Sequence, residues 1–160
     1  MKCELQPASA QDRPVAQNLA RFYIYDMSEF LGWACPATGL FGGCDEFFED
    51  WKAGTNHPYL IKAGSELAGF AGVKAYEEGH CIQEFFVLRK FRRQGVGRRI
   101  AIELFEKFPG DWRVQQLAKN TPAIGFWRAV VRDYTGDEWA EHVESGEWGP
   151  MNTIRFCNAQ

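Results

Sequence analysis

A basic turn followed by two glycines offers the clearest chemistry in this chain. An apolar segment that ends at Leu88 leads into Arg92 and Arg93, and Gly95 and Gly97 then open an amphipathic helix. Glycine lets the backbone approach an anion closely, and the N–H groups at a helix N-terminus point toward such an anion. The arrangement predicts a loop that binds phosphate groups.

Other interpretations of this basic run have to be weighed. The dinucleotide fingerprint and the P-loop are excluded, because the first needs three glycines and the second ends in Gly-Lys-Ser/Thr. Residues 89–99 could instead form a solvated helix face, or bind the phosphates of a nucleic acid. The formal net charge of −3 and the lack of a second basic patch argue against nucleic acid as a partner.

The loop resembles a motif of one enzyme family. Arg92, Gly95 and Gly97 fill the pattern Arg/Gln-x-x-Gly-x-Gly/Ala, which is the acyl-CoA pyrophosphate loop of the GCN5-related N-acetyltransferases, the GNAT family. A second stretch, 120–127, contains an Asn, an Ala and an aromatic pair in the order that the family usually shows after its next strand. The resemblance implies acetyl-CoA as co-substrate and transfer of its acetyl group to an amine.

The resemblance also implies how this co-substrate is held. The glycine loop contacts the pyrophosphate, and the backbone of 85–87 pairs with the pantetheine like an additional strand. The expected cofactor-binding residues are Phe85, Phe86, Val87, Arg92, Arg93, Gln94, Gly95, Val96, Gly97, Arg98, Asn120, Phe126 and Trp127.

Two of these positions have ordinary structural alternatives. In the family the Asn at position 120 contacts pantetheine or bridges the central strands, but Asn120 is also a suitable N-cap for the helix that follows. Trp127 stands where many members carry a tyrosine that protonates the CoA thiolate. An indole N–H cannot take that role. Trp127 is expected either to line the acyl pocket or to belong to the core.

Glu84 is the expected catalytic residue. It precedes the sequence Phe-Phe-Val at 85–87, and polyamine acetyltransferases carry an acidic residue in a similar acidic-Phe-Phe-Val sequence. A carboxylate near the attacked carbon can take the amine proton, often through water. Glu84 could also orient a cationic acceptor without acting as base, or form an exposed salt bridge on its strand.

The acceptor side is predicted only in outline. In the family, the first helices and the loop after them form one wall of the acceptor site. Tyr25, Glu29 and Trp33 lie in that region, and aromatic faces with carboxylates suit a small cationic amine. Most side chains there could equally be core. A polyamine, an aminoglycoside, an amino acid and a protein N-terminus all remain as acceptors.

The strands and helices that must position these residues can be predicted from the spacing of apolar residues and from the residues typical of turns. The pattern predicts strands over 2–7, 57–63, 66–76, 80–88, 112–117, 134–144 and 148–157, and helices that begin near Ser9 or Asp12 and over 45–52, 95–108 and 121–131. The first helix has Val15, Leu19, Phe22 and Tyr23 as its apolar positions. Residues 30–44 are predicted to be an irregular loop.

The order of these elements predicts the fold class. The strand–helix–strand unit over 80–117 implies a parallel pair and a right-handed crossover. The chain is expected to form one α/β three-layer domain over residues 1–160, with a mixed, mostly antiparallel sheet and helices on both faces. This is the order of the acyl-CoA N-acyltransferase fold of the GNAT family.

Composition bounds the remaining properties. The 160 residues suffice for one domain with a sizeable core. The five cysteines are scattered without a Cys-x-x-Cys pair, so neither a zinc site nor a disulfide framework is predicted. No apolar run approaches the roughly 20 residues of a membrane span, and the N-terminus lacks the apolar core of a signal peptide. We expect a cytoplasmic protein with free thiols, without a metal or membrane partner, and leave a homodimer open.

Together these observations predict an N-acetyltransferase in which an amine attacks acetyl-CoA directly. The main alternative is a regulator that keeps the fold, binds acyl-CoA and has lost catalysis, because Trp127 replaces the usual tyrosine.

Overall fold

The chain forms two compact units in a computed structural model that describes residues 1–43, 45 and 54–159. The first unit contains Met1–Lys74 and Gln83–Ile100, and the second contains Ala75–Ile82 and Ala101–Gln160. The chain passes from one unit to the other within two strands and one helix. The helix predicted over 45–52 lies outside the described residues, apart from Asp45.

Strands of the first unit pair in antiparallel fashion. Leu60 lies opposite Phe70 in the pairing of the second and third strands. The third and fourth strands approach closely, since a Cβ at Gly69 would collide with the carbonyl oxygen of Phe86. The strands are β1 (Cys3–Pro7), β2 (Asn56–Ala63), β3 (Glu66–Tyr76) and β4 (Gly79–Val87), of which the last two extend into the second unit.

The first helix has clear start and stop signals. Asp12 accepts hydrogen bonds from the backbone N–H of Ser9 at 2.8 Å and from its hydroxyl at 3.0 Å. These bonds hold the turn that precedes α1 (Arg13–Leu31). Gly32 ends the helix with φ of 69°, a left-handed conformation that glycine adopts without strain.

The buried face of α1 differs from the predicted one. Ala16, Leu19 and Ala20 are buried, whereas Val15 is 39% exposed and Phe22 is 56% exposed. The prediction was therefore wrong for Val15 and Phe22. The small alanines let α1 lie close to the strands, so the core stripe follows them, and the larger side chains occupy the neighbouring stripe.

The long helix after the basic loop follows its prediction. It is α2 (Val96–Lys107), against an expected 95–108. Val96, Ile100 and Leu104 are all 1% exposed or less, and their spacing of four residues keeps them on one face. This helix is anchored at its N-terminal turn, which fixes the end of the loop before it.

The second unit completes the fold with one helix and three strands. Its elements are β5 (Asp111–Leu117), α3 (Thr121–Thr135), β6 (Ala140–Gly146) and β7 (Gly149–Cys157). The strand predicted over 134–144 starts too early, because α3 continues to Thr135. The helix ends where Gly136 takes a φ of 64°.

Aromatic rings form the core of the second unit. Trp112 stacks on Phe156 at 6.2 Å with an interplanar angle of 6°, and Phe105 meets both rings edge-on at 4.9 and 4.8 Å. The Trp112 indole N–H donates to the Phe108 carbonyl at 2.9 Å. These contacts explain why β5 and β7 carry aromatic residues at their paired positions, since Trp112 lies opposite Phe156 in the register.

The strand order is β1-β2-β3-β4-β5-β7-β6, in a seven-stranded sheet. Only β4 and β5 are a parallel pair in the registers of the described residues, through His80 with Trp112 and Cys81 with Arg113. The prediction of a mixed, mostly antiparallel sheet with helices is confirmed.

Three further expectations can be compared with the described part of the chain. None of its helices is long and apolar enough to cross a membrane. It contains no cluster of His, Cys, Asp and Glu side chains that could hold a metal ion. Cys3, Cys35, Cys81 and Cys157 are free thiols.

Candidate functional site

The predicted phosphate loop lies between β4 and α2. The sign of the backbone φ angle alternates from Arg92 to Gly95. Arg92 has φ of −70°, Arg93 has φ of 60°, and Gly95 has φ of 78°, whereas Gln94 between them has a negative φ. Such alternation turns successive N–H groups toward one side and forms a concavity for anions. All four residues are exposed, so the loop is open to a ligand.

The N-terminus of α2 continues this concavity. The N–H of Arg99 donates to the Gly95 carbonyl at 3.1 Å, which is the first backbone bond of the helix. The N–H groups of Val96 and Gly97 come before it, and such groups lack an intrahelical acceptor in a first turn. An anion would satisfy them and would also meet the positive end of the helix dipole. These N–H groups make the loop a candidate site for a phosphate group.

Arg92 is held by protein groups. Its Nε donates to the Val87 carbonyl and its Nη2 to Asp26, both at 2.7 Å. Its guanidinium also lies 5.5 Å from the centre of the Phe86 ring. A guanidinium has five donors, so donors remain for a phosphate, but the side chain also ties the end of β4 to α1.

The other polar side chains of the loop differ in the hydrogen bonds that they make. Gln94 donates to the Lys90 carbonyl at 2.6 Å, and Arg99 donates to the Met1 carbonyl at 2.7 Å. Gln94 therefore stabilises the loop itself, and the basic side chains of Arg93 and Arg98 are exposed, as are those of Arg92 and Arg99.

Glu84 on β4 is a carboxyl group with an unusual environment. Its Oε2 is buried without a hydrogen-bond partner among the described residues. Burial raises the pKa of Glu84 to about 7, although the hydrogen bond from Tyr23 favours the charged form and opposes the rise. The alternative of an exposed, salt-bridged carboxylate is wrong. A carboxyl group of this pKa can accept a proton near neutral pH.

The residues that follow Glu84 complete β4. Phe86 and Val87 are buried at 5% and 8% exposure, and Phe85 is partly buried. β4 pairs with β5 at residues 80–81, which precede this segment. The side chains of Phe86 and Val87 thus belong to the core. The contact of this backbone with pantetheine stays a prediction.

The predicted acceptor residues lie at the C-terminal end of α1 and just beyond it. Tyr25 is 54% exposed, and its ring lies 5.6 Å from that of Phe41, edge-on. Arg21 donates to the Phe41 carbonyl at 2.6 Å and so fastens the loop over 32–43 to α1. Glu29 is exposed and Trp33 is partly buried. An aromatic ring and a carboxylate on one turn of α1 could contact a cationic amine.

Three predicted cofactor residues belong to the second unit. Asn120 caps α3, since its Oδ1 accepts from the Ala123 N–H at 3.1 Å. The structural interpretation of Asn120 is confirmed, and its contact with pantetheine stays a prediction. Trp127 is 5% exposed, lies 5.0 Å from Phe126 and 6.3 Å from Phe105, and therefore belongs to the core.

No tyrosine near the start of α3 takes the place of the usual general acid. Tyr134 lies in the last turn of that helix, where its hydroxyl accepts from Asn158 at 3.3 Å and its ring lies 5.4 Å from Phe105. Within α3, Tyr134 is thus a core residue close to the C-terminal end, about two turns after Trp127.

Sequence reasoning missed the roles of two side chains on α1. Asp26 binds both Arg89, at 2.8 Å, and Arg92. Tyr23 lowers the pKa of Glu84 and so opposes the effect of burial. Tyr23 was predicted as an apolar position of the first helix. The spacing of Ala16, Leu19, Ala20 and Tyr23 contains the signal for the second contact, because it puts Tyr23 on the buried face of α1.

Comparisons with known proteins concern the family and the fold of the chain. The acetyltransferase (GNAT) family model matches residues 22–130. No curated protein sequence gives a significant match. Among solved structures, an acetyltransferase from Thermus thermophilus has a TM-score of 0.73 at 13% identity, over 98% of this chain and 97% of the other.

Two more neighbours cover nearly the whole chain. A ribosomal-protein-alanine N-acetyltransferase from Escherichia coli has a TM-score of 0.66 at 13% identity, over 99% of this chain and 96% of its own. A spermidine N-acetyltransferase chimera from Vibrio cholerae and hSSAT has a TM-score of 0.68 at 10% identity, with the same coverage of 99% and 96%. At these identities the likeness concerns the fold. The family model spans more than half of the sequence, and the chain therefore belongs to the GNAT family, whose members are acyltransferases that use acetyl-CoA.

Proposed function

We propose that this protein transfers the acetyl group of acetyl-CoA to an amine of a small molecule or protein by direct attack, with Glu84 as general base. The observation that carries the proposal is the Glu84 carboxyl group, which is buried at Oε2, has a pKa of about 7 and precedes the strand segment that family members use to hold pantetheine. A base of this pKa is well matched to the removal of a proton at neutral pH.

The proposed reaction exchanges the C–S bond of the thioester for a C–N bond to the amine. The amine nitrogen attacks the thioester carbonyl carbon, so that a C–N bond forms and the C–S bond breaks. One proton of the amine passes to the carboxylate of Glu84, directly or through water, and the carboxylate becomes neutral. The sulfur leaves with the electron pair of the broken bond.

The leaving thiolate receives no proton from position 127 in this proposal. Trp127 is buried and carries an indole, which is a hydrogen-bond donor without an acidic proton at neutral pH. A thiol pKa of about 8.5 lets the sulfur leave as thiolate and take a proton from water afterwards. The replacement of the usual tyrosine is therefore compatible with turnover.

The loop and the acceptor wall have separate proposed roles. Arg93, Arg98 and the backbone of 95–97 bind the pyrophosphate, and Arg92 contributes while it also holds Val87. Tyr25, Glu29 and Trp33 contact the acceptor. The named neighbours act on a protein alanine and on spermidine, so the shared fold does not choose between these acceptor classes. We further propose that residues 1–160 work as one acetyltransferase domain in the cytoplasm.

The test is a panel of amines with acetyl-CoA and continuous detection of the released thiol. Polyamines, aminoglycosides, amino acids and peptides with a free N-terminus cover the open classes. Thiol release that depends on one class, with the acetylated amine identified by mass, supports the proposal. Binding of acetyl-CoA without acetylation of any class would contradict it and support the non-catalytic regulator.

Glu84→Gln separates the two possible roles of the carboxylate. It keeps the shape of the side chain and removes its charge. If Glu84 is the base, kcat falls by about 10²–10⁴ and the affinity for acetyl-CoA holds. If Glu84 orients a cationic amine, KM for the amine rises and kcat changes less. If kcat and KM of the variant both equal the wild-type values, Glu84 has no role in the reaction.

A further inference from the structure

The strand β6 is an open edge of the sheet. Among the described strands it is the terminal one and pairs only with β7. The register of this pair is regular along the whole strand, from Ala140 with Arg155 to Gly146 with Gly149. Edge strands are commonly protected from other chains by lysine, proline, a bulge or a very short length. β6 has seven residues, contains neither lysine nor proline, and therefore offers an edge to which another strand can be added.

The backbone groups on this edge can be assigned to individual residues. The Pro150 carbonyl accepts from the Ala118 N–H at 2.9 Å, so the backbone of Pro150 points toward the β5 side of β7. Pro150 lies opposite Ser145, and this pair of residues therefore exchanges no backbone hydrogen bonds. Such pairs alternate with hydrogen-bonded pairs along an antiparallel ladder. The N–H and C=O groups of Glu141, Val143 and Ser145 consequently point away from β7, to the open edge.

The side chains along the edge combine apolar surface with a basic and an acidic group. Val143, at the centre of β6, is 67% exposed, and Trp148 in the turn after the strand is 55% exposed. His142 and Glu144 lie on one face of the strand, with 3.2 Å between Nε2 and Oε2. Oε1 of Glu144 accepts from the Gln115 amide at 2.6 Å, so the carboxylate is held on the surface of the sheet.

We propose that β6 is a dimer interface, at which the β6 strands of two copies of this chain pair in antiparallel fashion about Val143. This register sets Val143 opposite Val143 of the second copy and pairs all seven residues of the strand. It also sets His142 opposite Glu144 of the second copy, on both sides of the two-fold axis. The outward backbone groups of Glu141, Val143 and Ser145 then lie opposite outward groups and form hydrogen bonds across the interface.

The neighbouring registers are less favourable. A centre at His142 sets two imidazoles opposite each other, and a centre at Glu144 sets two carboxylates opposite each other, which destabilises a strand pair. A centre at Glu141 or Ser145 leaves four of the seven residues unpaired. With the centre at Val143, Glu141 lies opposite Ser145 and keeps its intrachain ion pair with an arginine of α3 at 2.8 Å.

A second copy is the occupant that fits this edge. A strand of another sequence would have to carry an acid opposite His142 and a base opposite Glu144, whereas a second β6 supplies both by symmetry. Trp148 adds apolar contact, because antiparallel pairing places the end of one β6 beside the start of the other. The inference is independent of the proposed function, since β6 carries none of the residues proposed to bind acetyl-CoA or the acceptor.

The test is sedimentation equilibrium of the full chain over a range of concentrations. The wild type should pass from the mass of one chain to twice that mass as the concentration rises. Val143→Lys sets two ammonium groups opposite each other at the centre of the interface and should weaken association by at least about tenfold. Val15→Lys is the matched control, since it adds the same charge at an exposed valine of α1 and should associate like the wild type.

Two charge variants test the register. His142→Glu sets carboxylates opposite each other in its homodimer, and Glu144→Lys sets basic groups opposite each other, so each alone should associate weakly. In an equimolar mixture the new carboxylate lies opposite the new ammonium group, and His142 of one chain lies opposite Glu144 of the other. The mixture should therefore recover the association that both variants lack.

Amide hydrogen exchange of the wild type provides a measurement that needs no variant. The N–H groups of Glu141, Val143 and Ser145 should be protected only at concentrations at which the dimer forms. Those of His142 and Glu144, which point toward β7, should be protected at every concentration.

Each contrary result overturns the inference. A wild type that keeps the mass of one chain at every concentration has no such interface, and a dimer that Val143→Lys leaves unchanged has its interface elsewhere. A mixture of the two charge variants that associates no better than either alone overturns the register about Val143. If Val143→Lys does not fold, hydrogen exchange decides, because exposed amides at 141, 143 and 145 in a wild-type dimer exclude β6 from the interface.

Discussion

Asp26 on α1 accepts a hydrogen bond from Arg92 at 2.7 Å, so the loop before α2 is tied to the helix that carries the predicted acceptor residues. The same guanidinium holds the Val87 carbonyl through Nε. A partly exposed ion pair of this kind contributes about 0–1 kcal/mol to stability. Its importance therefore lies in where it holds the backbone at the end of β4.

Arg92→Ala distinguishes a contact with phosphate from a contact with the backbone. If Arg92 binds the pyrophosphate, the variant should bind CoA about 10- to 100-fold more weakly, from a charge-assisted contact of about 1.5–3 kcal/mol. A pantetheine thioester without the nucleotide should be affected little. Calorimetric affinities for both ligands provide the measurement. Equal losses for both would show that Arg92 acts through Val87. Arg89→Ala, which also removes a partner of Asp26 but no bond to Val87, is the control.

Gly97→Glu should abolish binding of acetyl-CoA by a folded protein. The new side chain would obstruct the approach of phosphate to the first turn of α2, and its charge would repel the anion. Gly42→Glu adds the same charge at an exposed glycine where a Cβ meets open space, and should bind like the wild type. Thermal stabilisation by CoA measures both. If CoA still stabilises the Gly97→Glu protein fully, the nucleotide does not bind at the N-terminus of α2.

The raised pKa of Glu84 makes stability depend on pH in a predictable direction. The unfolded carboxyl group titrates near 4.5 and the folded one near 7, so between these values the folded state keeps a proton that the unfolded state has lost. Stability should fall as pH rises through this window, by about 1.4 kcal/mol for each unit of pKa difference. Glu84→Gln removes the effect and should become more stable than the wild type at pH 8.

Urea denaturation of both proteins at pH 4.5, 6 and 8 checks this prediction. The difference in unfolding free energy between the variant and the wild type should grow from pH 4.5 to 8. A constant difference across the three values would mean that Glu84 titrates normally in the folded protein.

Asn120→Ala should destabilise the protein by about 1 kcal/mol, because the Ala123 N–H loses its cap. Asn120→Asp should restore the cap and the stability. If the Asn120 amide also binds pantetheine, the Asp variant remains impaired in KM for acetyl-CoA although its melting temperature recovers. Recovery of both quantities would leave Asn120 with the capping role alone.

Much of the fold could be predicted because the local signals were strong. The long apolar stripe of α2, the turn at 63–66 and the Pro-containing start of α3 each specify an element independently of the rest of the chain. The predictions were wrong where contacts between distant parts of the chain determine which residues are buried. The stripe of α1 follows small alanines rather than large apolar residues, and only the approach of the strands makes this choice favourable.

The site divides in the same way. The glycine loop is visible in the sequence, because backbone that must approach an anion requires glycine at fixed spacing. The partners of Glu84 and Arg92 are not visible, since Tyr23 and Asp26 lie more than 60 residues away in the chain. Their contacts depend on how α1 lies against β4 and on the burial of Oε2, and no local pattern encodes either.

The left-handed backbone at Arg93 has a consequence for how this chain could be redesigned. A non-glycine residue with φ of 60° carries a strain of about 1 kcal/mol that glycine would relieve. Arg93→Gly would relieve this strain at the entropic cost of a more flexible unfolded chain. It would also remove an exposed positive charge from the loop. A thermostability screen that includes position 93 should therefore also measure the affinity for CoA, because a stabilising change there can remove a proposed contact with the nucleotide.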